Sequence, residues 1–282
     1  LEASFKYAIM GSVASSFILL GIALLYSFTS TLNMADISSV LSGKTQGLMI
    51  PFMAALFIMG FGLKAALVPF HAWLPDAHSS APASISAMLS GVLIKVLGIY
   101  ATIRIFFNII GVNSAFLSIF MFLGVASMLI GVVLALAQWD FKRLLAYHSI
   151  SQVGYIMLGI GLGTPLGLLG GLFHLFNHSI FKSLLFLNSG AIDYSLGIRD
   201  LQRMGGLREK MPTTANTSLI ASMSIAGIPP FNGFWSKLLI ILACIQSRLH
   251  IYALCAVVAS ILTLASFMKV QKYAFFGRLN EK

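Results

Sequence analysis

Six residues of this 282-residue chain stand where their chemistry is costly: Lys64, Lys95, Lys182, Lys237, His174 and His178, each inside an apolar run. A lysine at the centre of a membrane-spanning helix costs about 2.5 to 3.5 kcal/mol even on insertion scales, so four of them require a compensating role. Desolvation and mutual repulsion disfavour an ammonium ion, and burial of this kind turns a lysine into a group that exchanges protons near neutral pH. The stretch GLFHLFNHSIFKSLLF spaces His174, His178 and Lys182 at i, i+4 and i+8. Successive members rotate by only about 40° on a helix, so all three share one stripe. Asn177, Ser149, Ser151 and Gln152 add hydroxyl and amide groups to a hydrated path beside it. Together these types and spacings describe a proton relay.

Blander readings compete at each position. Lys64 lies five residues before Pro69, close enough to a span end at that proline for its stem to snorkel to the interface; Lys95 and Lys182 stand more than two turns from either end of their spans. Two histidines at i, i+4 also suit a metal, but no acid or cysteine joins them nearby. Lys237 follows the segment AGIPPFNGFW, whose two prolines remove amide donors and free carbonyls that can hold an ammonium.

The elements that must position these groups are membrane helices. The sequence is 58% hydrophobic and 9% charged, with a mean hydropathy of +0.92; a soluble domain carries roughly 25% charged residues. Eight apolar runs of spanning length are expected near 5–28, 47–69, 82–107, 114–138, 144–163, 166–190, 212–246 and 251–276. The seventh is too long for one straight crossing, and its proline segment predicts an unwound break, which hydrocarbon tolerates only where protein or a water-filled cavity satisfies the freed backbone. The net charge of +10 does not mark a nucleic-acid binder, because the basic residues sit in short connections and not on one solvated face. Cys244 and Cys255 have no metal-ligand spacing and read as buried thiols.

Sorting the cations by side places Lys6, Lys142, Arg143, Arg199, Arg203, Arg208, Lys210, Lys269, Lys272, Arg278 and Lys282 together, against only Lys44, Arg104 and Arg248 opposite. The positive-inside bias then makes the first side cytoplasmic, with the amino terminus there. In FGLKAALVPFHAWLPDAH, Pro69 and Pro75 are expected to end the second span at that face, with Trp73 as an interfacial anchor. His71, Asp76 and His78 then form a hydrogen-bonded polar turn or a coupling contact to the next span, with a three-ligand metal site as the weaker alternative. The polar stretch DYSLGIRDLQRMGGLREKMP reads as a cytoplasmic connection with amphipathic character. None of the eight Asp and Glu residues falls deep in a span, so the buried lysines must be answered by water, carbonyls, histidines or an acid on another chain.

The stretches FGLKAALVPFHAWLPDAHSSAPASISAMLSGVLIKVLGIY, DFKRLLAYHSISQVGYIMLGI, HLFNHSIFKSLLF and AGIPPFNGFWSKLLI together resemble the antiporter-like proton-translocating membrane subunits. Those occur in respiratory complex I, in membrane-bound hydrogenases and in multisubunit sodium/proton antiporters. The resemblance implies an all-α polytopic fold of inverted five-helix repeats with two discontinuous helices. Residues 1–110 would hold the last three helices of the first repeat and 111–282 the second, as a single proton-translocation domain. It implies that Lys64 is the central lysine of a broken helix, Lys95 the link between half-channels, His174, His178 and Lys182 the hydrated axis, and Lys237 the terminal lysine, with Lys64 and Lys237 as repeat equivalents. The glutamate that pairs with the first lysine in that family would precede Leu1, and Glu2 does not replace it. The start at Leu1 is accordingly read as that of a fragment lacking the first helices and the usual last one.

The expected function is that of a proton-translocating subunit of a redox-driven pump in the cytoplasmic membrane. It would work with antiporter-like siblings and a redox module, bind no cofactor or metal itself, and contact lipid but no nucleic acid. A subunit of a sodium/proton antiporter without redox partners is the first alternative, and a structural scaffold without transport the second.

Overall fold

In the computed structural model, residues 1–42 and 47–277 are described; Lys44, Arg278 and Lys282 of the charge sorting lie outside them. The described chain is helical, and among these residues the only strand-like contact is an isolated bridge between Asp140 and Asp200. Helix α1 spans Glu2–Thr29, a short α2 covers Met34–Ser42, and α3 runs Met49–Ala65. After a non-helical stretch, α4 covers Trp73–Ser80, and α5 spans Ala83–Ile110 with several π-type turns. Then come α6 (Ser114–Leu136), α7 (Phe141–Gly161), α8 (Pro165–Leu196), α9 (Pro212–Ala226), α10 (Asn232–Gln246) and α11 (His250–Phe275).

Local sequence sets these boundaries. Asn113 caps α6 by accepting from Phe116 N at 2.9 Å, and Asp140 caps α7 by accepting from Arg143 N at 2.7 Å. Thr164 caps α8 with Pro165 in its first turn. Among the described residues four helices, α1, α5, α6 and α11, are long and apolar enough to cross a bilayer. By contrast, α7 and α8 have the length, 21 and 32 residues, but carry the buried polar groups described below.

Two elements end in mid-course as the prolines demand. The carboxyl end of α9 turns at Gly227 with φ of 82°, and α10 restarts at Asn232, so the predicted seventh run is two half-helices. The second predicted run is also broken, but it does not end at Pro69 or Pro75. Here α3 stops at Ala66, which takes φ of 54°, and the chain resumes as α4 down to Ser80. Pro69 disfavours helix for itself and for Val68, so α3 cannot run on through them; Pro75, in the first turn of α4, needs no amide donor there. Lys64 therefore sits in the last turn of α3, beside the break.

Glycines let α6 and α7 pack backbone to backbone. A Cβ on Gly154 would meet Met128 N at 2.4 Å, and one on Gly131 would meet Ser151 N at 2.6 Å. Similarly, Gly98 of α5 lies against the last turn of α3, where a Cβ would meet Ala65 N at 2.7 Å. These close approaches fix α7, and with it the polar residues of its other faces, at the centre of the bundle.

Candidate functional site

The polar residues singled out from the sequence converge on α7 and α8. Lys95, His174, His178, Lys182 and Lys237 are all at most 3% exposed. Lys182 Nζ donates to the carbonyl of Leu145 on α7, and Ser149 Oγ donates to the same carbonyl at 3.2 Å. Ser149 Oγ in turn lies 2.8 Å from Ser90 Oγ on α5, and Lys95 Nζ donates to the Ser90 carbonyl. With the single Ser149 proton engaged by Leu145, Ser90 is the donor across that contact. A continuous polar link thus joins Lys95 to Lys182 across three helices. Ser90, its central member, escapes a reading of the sequence, because a lone serine in an apolar run has no periodic signal.

Deeper along α8, the rings of His174 and His178 are nearly parallel, 5° apart in plane with centroids separated by 6.3 Å. His174 Nδ1 lies 2.9 Å from Ser236 Oγ on α10, and its Nε2 lies 3.1 Å from Gln152 Oε1 on α7. Gln152 presents its carbonyl oxygen, so the histidine donates from Nε2, while Ser236 Oγ also donates to Gly233 O at 3.2 Å. Ser236 precedes Lys237, whose Nζ lies 4.5 Å from the Tyr155 ring centroid, while that ring stands 5.6 Å from His174. His178 has no hydrogen-bond partner on either nitrogen. Among the described residues, no group of three His, Cys, Asp or Glu side chains gathers where a metal could bind.

At the second break Lys237 Nζ donates to Ile225 O at 2.8 Å and approaches Ala226 O at 3.5 Å, so the carbonyls freed by the prolines hold the ammonium. The break is stitched to α8 by Asn232, which receives Asn177 Nδ2 on its backbone carbonyl at 3.0 Å and donates Nδ2 to Asn177 Oδ1 at 3.2 Å.

The first break is satisfied differently. Trp73, expected as an interfacial anchor, is instead buried and donates its indole N–H to Leu63 O at 3.0 Å, the role that Lys237 has at the other break. A tryptophan and a proline at a span end look alike in sequence to a tryptophan and a proline at a mid-span break, and only the continuation through α4 separates them. Lys64 is left free of that duty. Its Nζ approaches Gly11 O of α1 at 3.3 Å. The lysine also lines a cavity of about 70 Å³ with Tyr7, Gly11, Leu63 and Trp73, room for several waters at roughly 10 to 15 Å³ each.

Charges cluster at one end of the bundle. Asp76 of α4 pairs with Lys6 of α1 at 2.8 Å and with Arg143 of α7 at 3.2 Å. Its partners lie on α1 and α7 and not on α5, the next span to which a coupling contact was expected, while His78 is buried beside Phe186, its nitrogens without a partner among the described residues. Lys142, counted with the solvated cations, is buried and donates to Ala81 O just past α4. Arg199 pairs with Asp193 at 2.7 Å and donates to Ser79 O at 2.7 Å; the Asp193 carboxylate holds its guanidinium above the usual range. The stretch after Leu196 forms no long amphipathic helix. It is held to the start of α7 by Phe141 N donating to Arg199 O and Leu201 N donating to Trp139 O, both at 3.0 Å. The ion pairs among the described residues are Glu2–Lys6, Lys6–Asp76, Asp76–Arg143 and Asp193–Arg199, and none includes a lysine of the buried file.

Comparison with known proteins decides the family. The profile of the NADH:quinone oxidoreductase/Mrp antiporter transmembrane family matches residues 1–263. The chain belongs to that family. It is 40% identical over 278 residues to a Na(+)/H(+) antiporter subunit of Alkalihalophilus pseudofirmus, covering 98% of this chain and 56% of the relative. It is 36% identical over 282 residues to an NADH-quinone oxidoreductase subunit of Desulforudis audaxviator, covering 99% and 56%. Among solved structures, a chain of the Mrp complex from Dietzia sp. DQ12-45-1b superposes with a TM-score of 0.93 at 38% identity, covering 99% of this chain and 52% of that one. The chain spans about half the length of the curated relatives it matches.

Proposed function

We propose that this family member carries protons across the membrane through a buried file that runs from Lys64 and Lys95 through Lys182, His178 and His174 to Lys237. The observation that carries the reading is the polar link from Lys182 through Leu145 O, Ser149 and Ser90 to Lys95. On the other side of Lys182 the parallel rings of His178 and His174 stand along α8, and His174 meets Ser236, the neighbour of Lys237 in sequence. Among the described residues no carboxylate pairs with these amines, so each must be held neutral or stabilised by carbonyls and water, the condition under which a lysine takes up and gives up protons.

In this reading eight spans cross the bilayer, α3/α4 and α9/α10 each forming one discontinuous span, with the amino terminus and the Lys/Arg-rich loops on the cytoplasmic side of a prokaryotic inner membrane. Residues 1–110 supply the last three helices of one five-helix repeat and 111–282 a second, inverted one. The left-handed turns at Ala66 and Gly227 that close the first halves of both broken spans support the repeat. Lys64 precedes its break whereas Lys237 follows its own, so the two occupy related but not identical places.

The subunit works within a multisubunit complex, with antiporter-like siblings, and moves protons driven by redox chemistry in a partner module. The relative named as a sodium/proton antiporter subunit supports a second reading, exchange of sodium for protons without redox partners. Proteoliposomes holding the assembled complex distinguish the two. Proton uptake started by the electron donor and indifferent to sodium supports the pump, and uptake started by a sodium gradient alone supports the exchanger. Lys64→Ala and Lys182→Met are expected to lower transport sharply in either case; wild-type transport in both variants refutes the relay.

A further inference from the structure

A second set of buried polar side chains lies to one side of this file, between α7, α9 and α11. His148 of α7 is fully buried, and its Nε2 lies 2.8 Å from Ser266 Oγ on α11. Farther along α11, Gln271 Nε2 donates to Ser222 Oγ at 3.0 Å and to Ser218 Oγ at 3.3 Å, both on α9. All five residues are buried. Removing such groups from water costs free energy unless each finds a partner, yet His148 Nδ1 and Gln271 Oε1 remain without one. A seam kept only to fasten three helices together would satisfy its own members; this one leaves an open valence at each end.

The seam also has a direction. Gln271 opens the last turn of α11, which packs against the Leu201–Lys210 stretch at the basic end of the bundle. His148, at the other end, adjoins the file. Lys182 donates to Leu145 O, three residues before His148 and on the same face of α7. The Phe267 ring, 4.7 Å away, covers another side of the imidazole.

We infer that His148 is a proton-transfer residue, the inner station of a lateral branch that runs from Ser218, Ser222 and Gln271 through Ser266 and delivers protons to Lys182. The inference rests on the relay reading above. In the transfer, Ser266 Oγ gives its proton to His148 Nε2 while taking one from a hydronium ion on the Gln271 side, which is left as water, and the Nδ1 proton passes to the neutral amine of Lys182. One N–H bond forms as another breaks, the imidazole is left as its other tautomer, and the net movement is a single proton.

The test uses the assembled complex in proteoliposomes with His148→Gln, which retains a partner for Ser266 but does not titrate. The complex is expected to assemble, its proton transport to fall by at least about tenfold, the low end of what a positioned proton-transfer group contributes, and its solvent deuterium isotope effect to rise as the blocked branch becomes limiting. A merely structural histidine would not move the isotope effect. Wild-type transport and isotope effect in His148→Gln, with Lys182→Met impaired, overturn the branch and leave the main file standing. Wild-type transport in both variants overturns the file and the branch together. If His148→Gln does not assemble, Ser266→Ala and Gln271→Leu decide by the same two readouts: reduced transport with a raised isotope effect supports the branch, and unchanged values overturn it.

Discussion

Replacing Lys237 by methionine separates what this residue does for structure from what it does for transport. The ammonium is buried at 3% exposure among α7, α8 and the second break, and holding a charge at such depth costs about 2.5 to 3.5 kcal/mol. The variant removes that cost. It also leaves Ile225 O without the donor now at 2.8 Å, a loss of about 1 to 3 kcal/mol, and it forfeits the contact with the Tyr155 ring at 4.5 Å, about 0.5 to 2 kcal/mol when desolvated. These opposing contributions cancel to within about 2 kcal/mol, and methionine fills the vacated volume with a flexible apolar chain. Lys237→Met is therefore expected to leave the yield of intact complex near that of the wild type. Proton transport, in contrast, loses its terminal station and is expected to fall below a tenth of the wild-type rate. The assay pairs native electrophoresis of the purified complex with pH-dye uptake in proteoliposomes. Intact complex with undiminished transport would refute the role given to Lys237, and loss of the complex would refute the energetic argument.

Ser149→Ala cuts the polar link between Lys95 and Lys182 and is expected to slow transport several-fold without affecting assembly, read in the same vesicles. Gly154→Val drives a side chain into the α6 backbone, where a Cβ alone would stand 2.4 Å from Met128 N; overpacking of this kind costs about 1 to 3 kcal/mol and should lower the melting temperature of the detergent-solubilised complex. Trp73→Phe keeps the aromatic packing but removes the indole donor to Leu63 O, which Ala66 N still serves at 3.2 Å, so the loss is that of one hydrogen bond, about 0.5 to 1.5 kcal/mol, read in the same melting experiment. Asn177→Ala releases both contacts with Asn232 that bind the second break to α8, and should both destabilise the complex and slow transport.

Much of this arrangement is legible in the sequence because its signals are periodic or chemically conspicuous. The His174/His178/Lys182 stripe follows from spacing alone, and the break before Lys237 follows from two adjacent prolines. The first break is harder to place, since Pro69, Trp73 and Pro75 also describe the end of a span, and hydropathy falls in the same way at an interface and at a polar turn inside the bundle. Lys142 sorts with the solvated cations by its neighbour Arg143 and by its position in a connection, although its ammonium reaches Ala81 O. Ser90, Ser218, Ser222 and Ser266 leave no trace of their pairing in one dimension. Each is a single small polar residue that a helix tolerates by bonding back to its own carbonyls, and only the packing of α5 on α7 and of α9 on α11 gives it a partner from another helix.

The two breaks solve one physical problem in different ways, and the difference bears on how protons move. Each half-helix that stops inside the bundle exposes carbonyls that hydrocarbon cannot satisfy. At the first break a tryptophan supplies the donor, and because an indole does not titrate at any pH the protein meets, this cap is indifferent to the proton cycle. Lys64, relieved of the structural task, faces the water-sized cavity beside α1 and is free to answer charge arriving from outside the described bundle. At the second break the lysine that ends the proposed relay is itself the cap. A lysine that gives up one proton keeps two N–H bonds, so Ile225 O remains satisfied in both protonation states, and the break need not collapse when the proton leaves. Arginine would preserve the cap but could not release the proton, because its guanidinium stays charged, and methionine would do neither. Lysine is thus the side chain that allows a helix end to be both a structural joint and a station for a mobile proton.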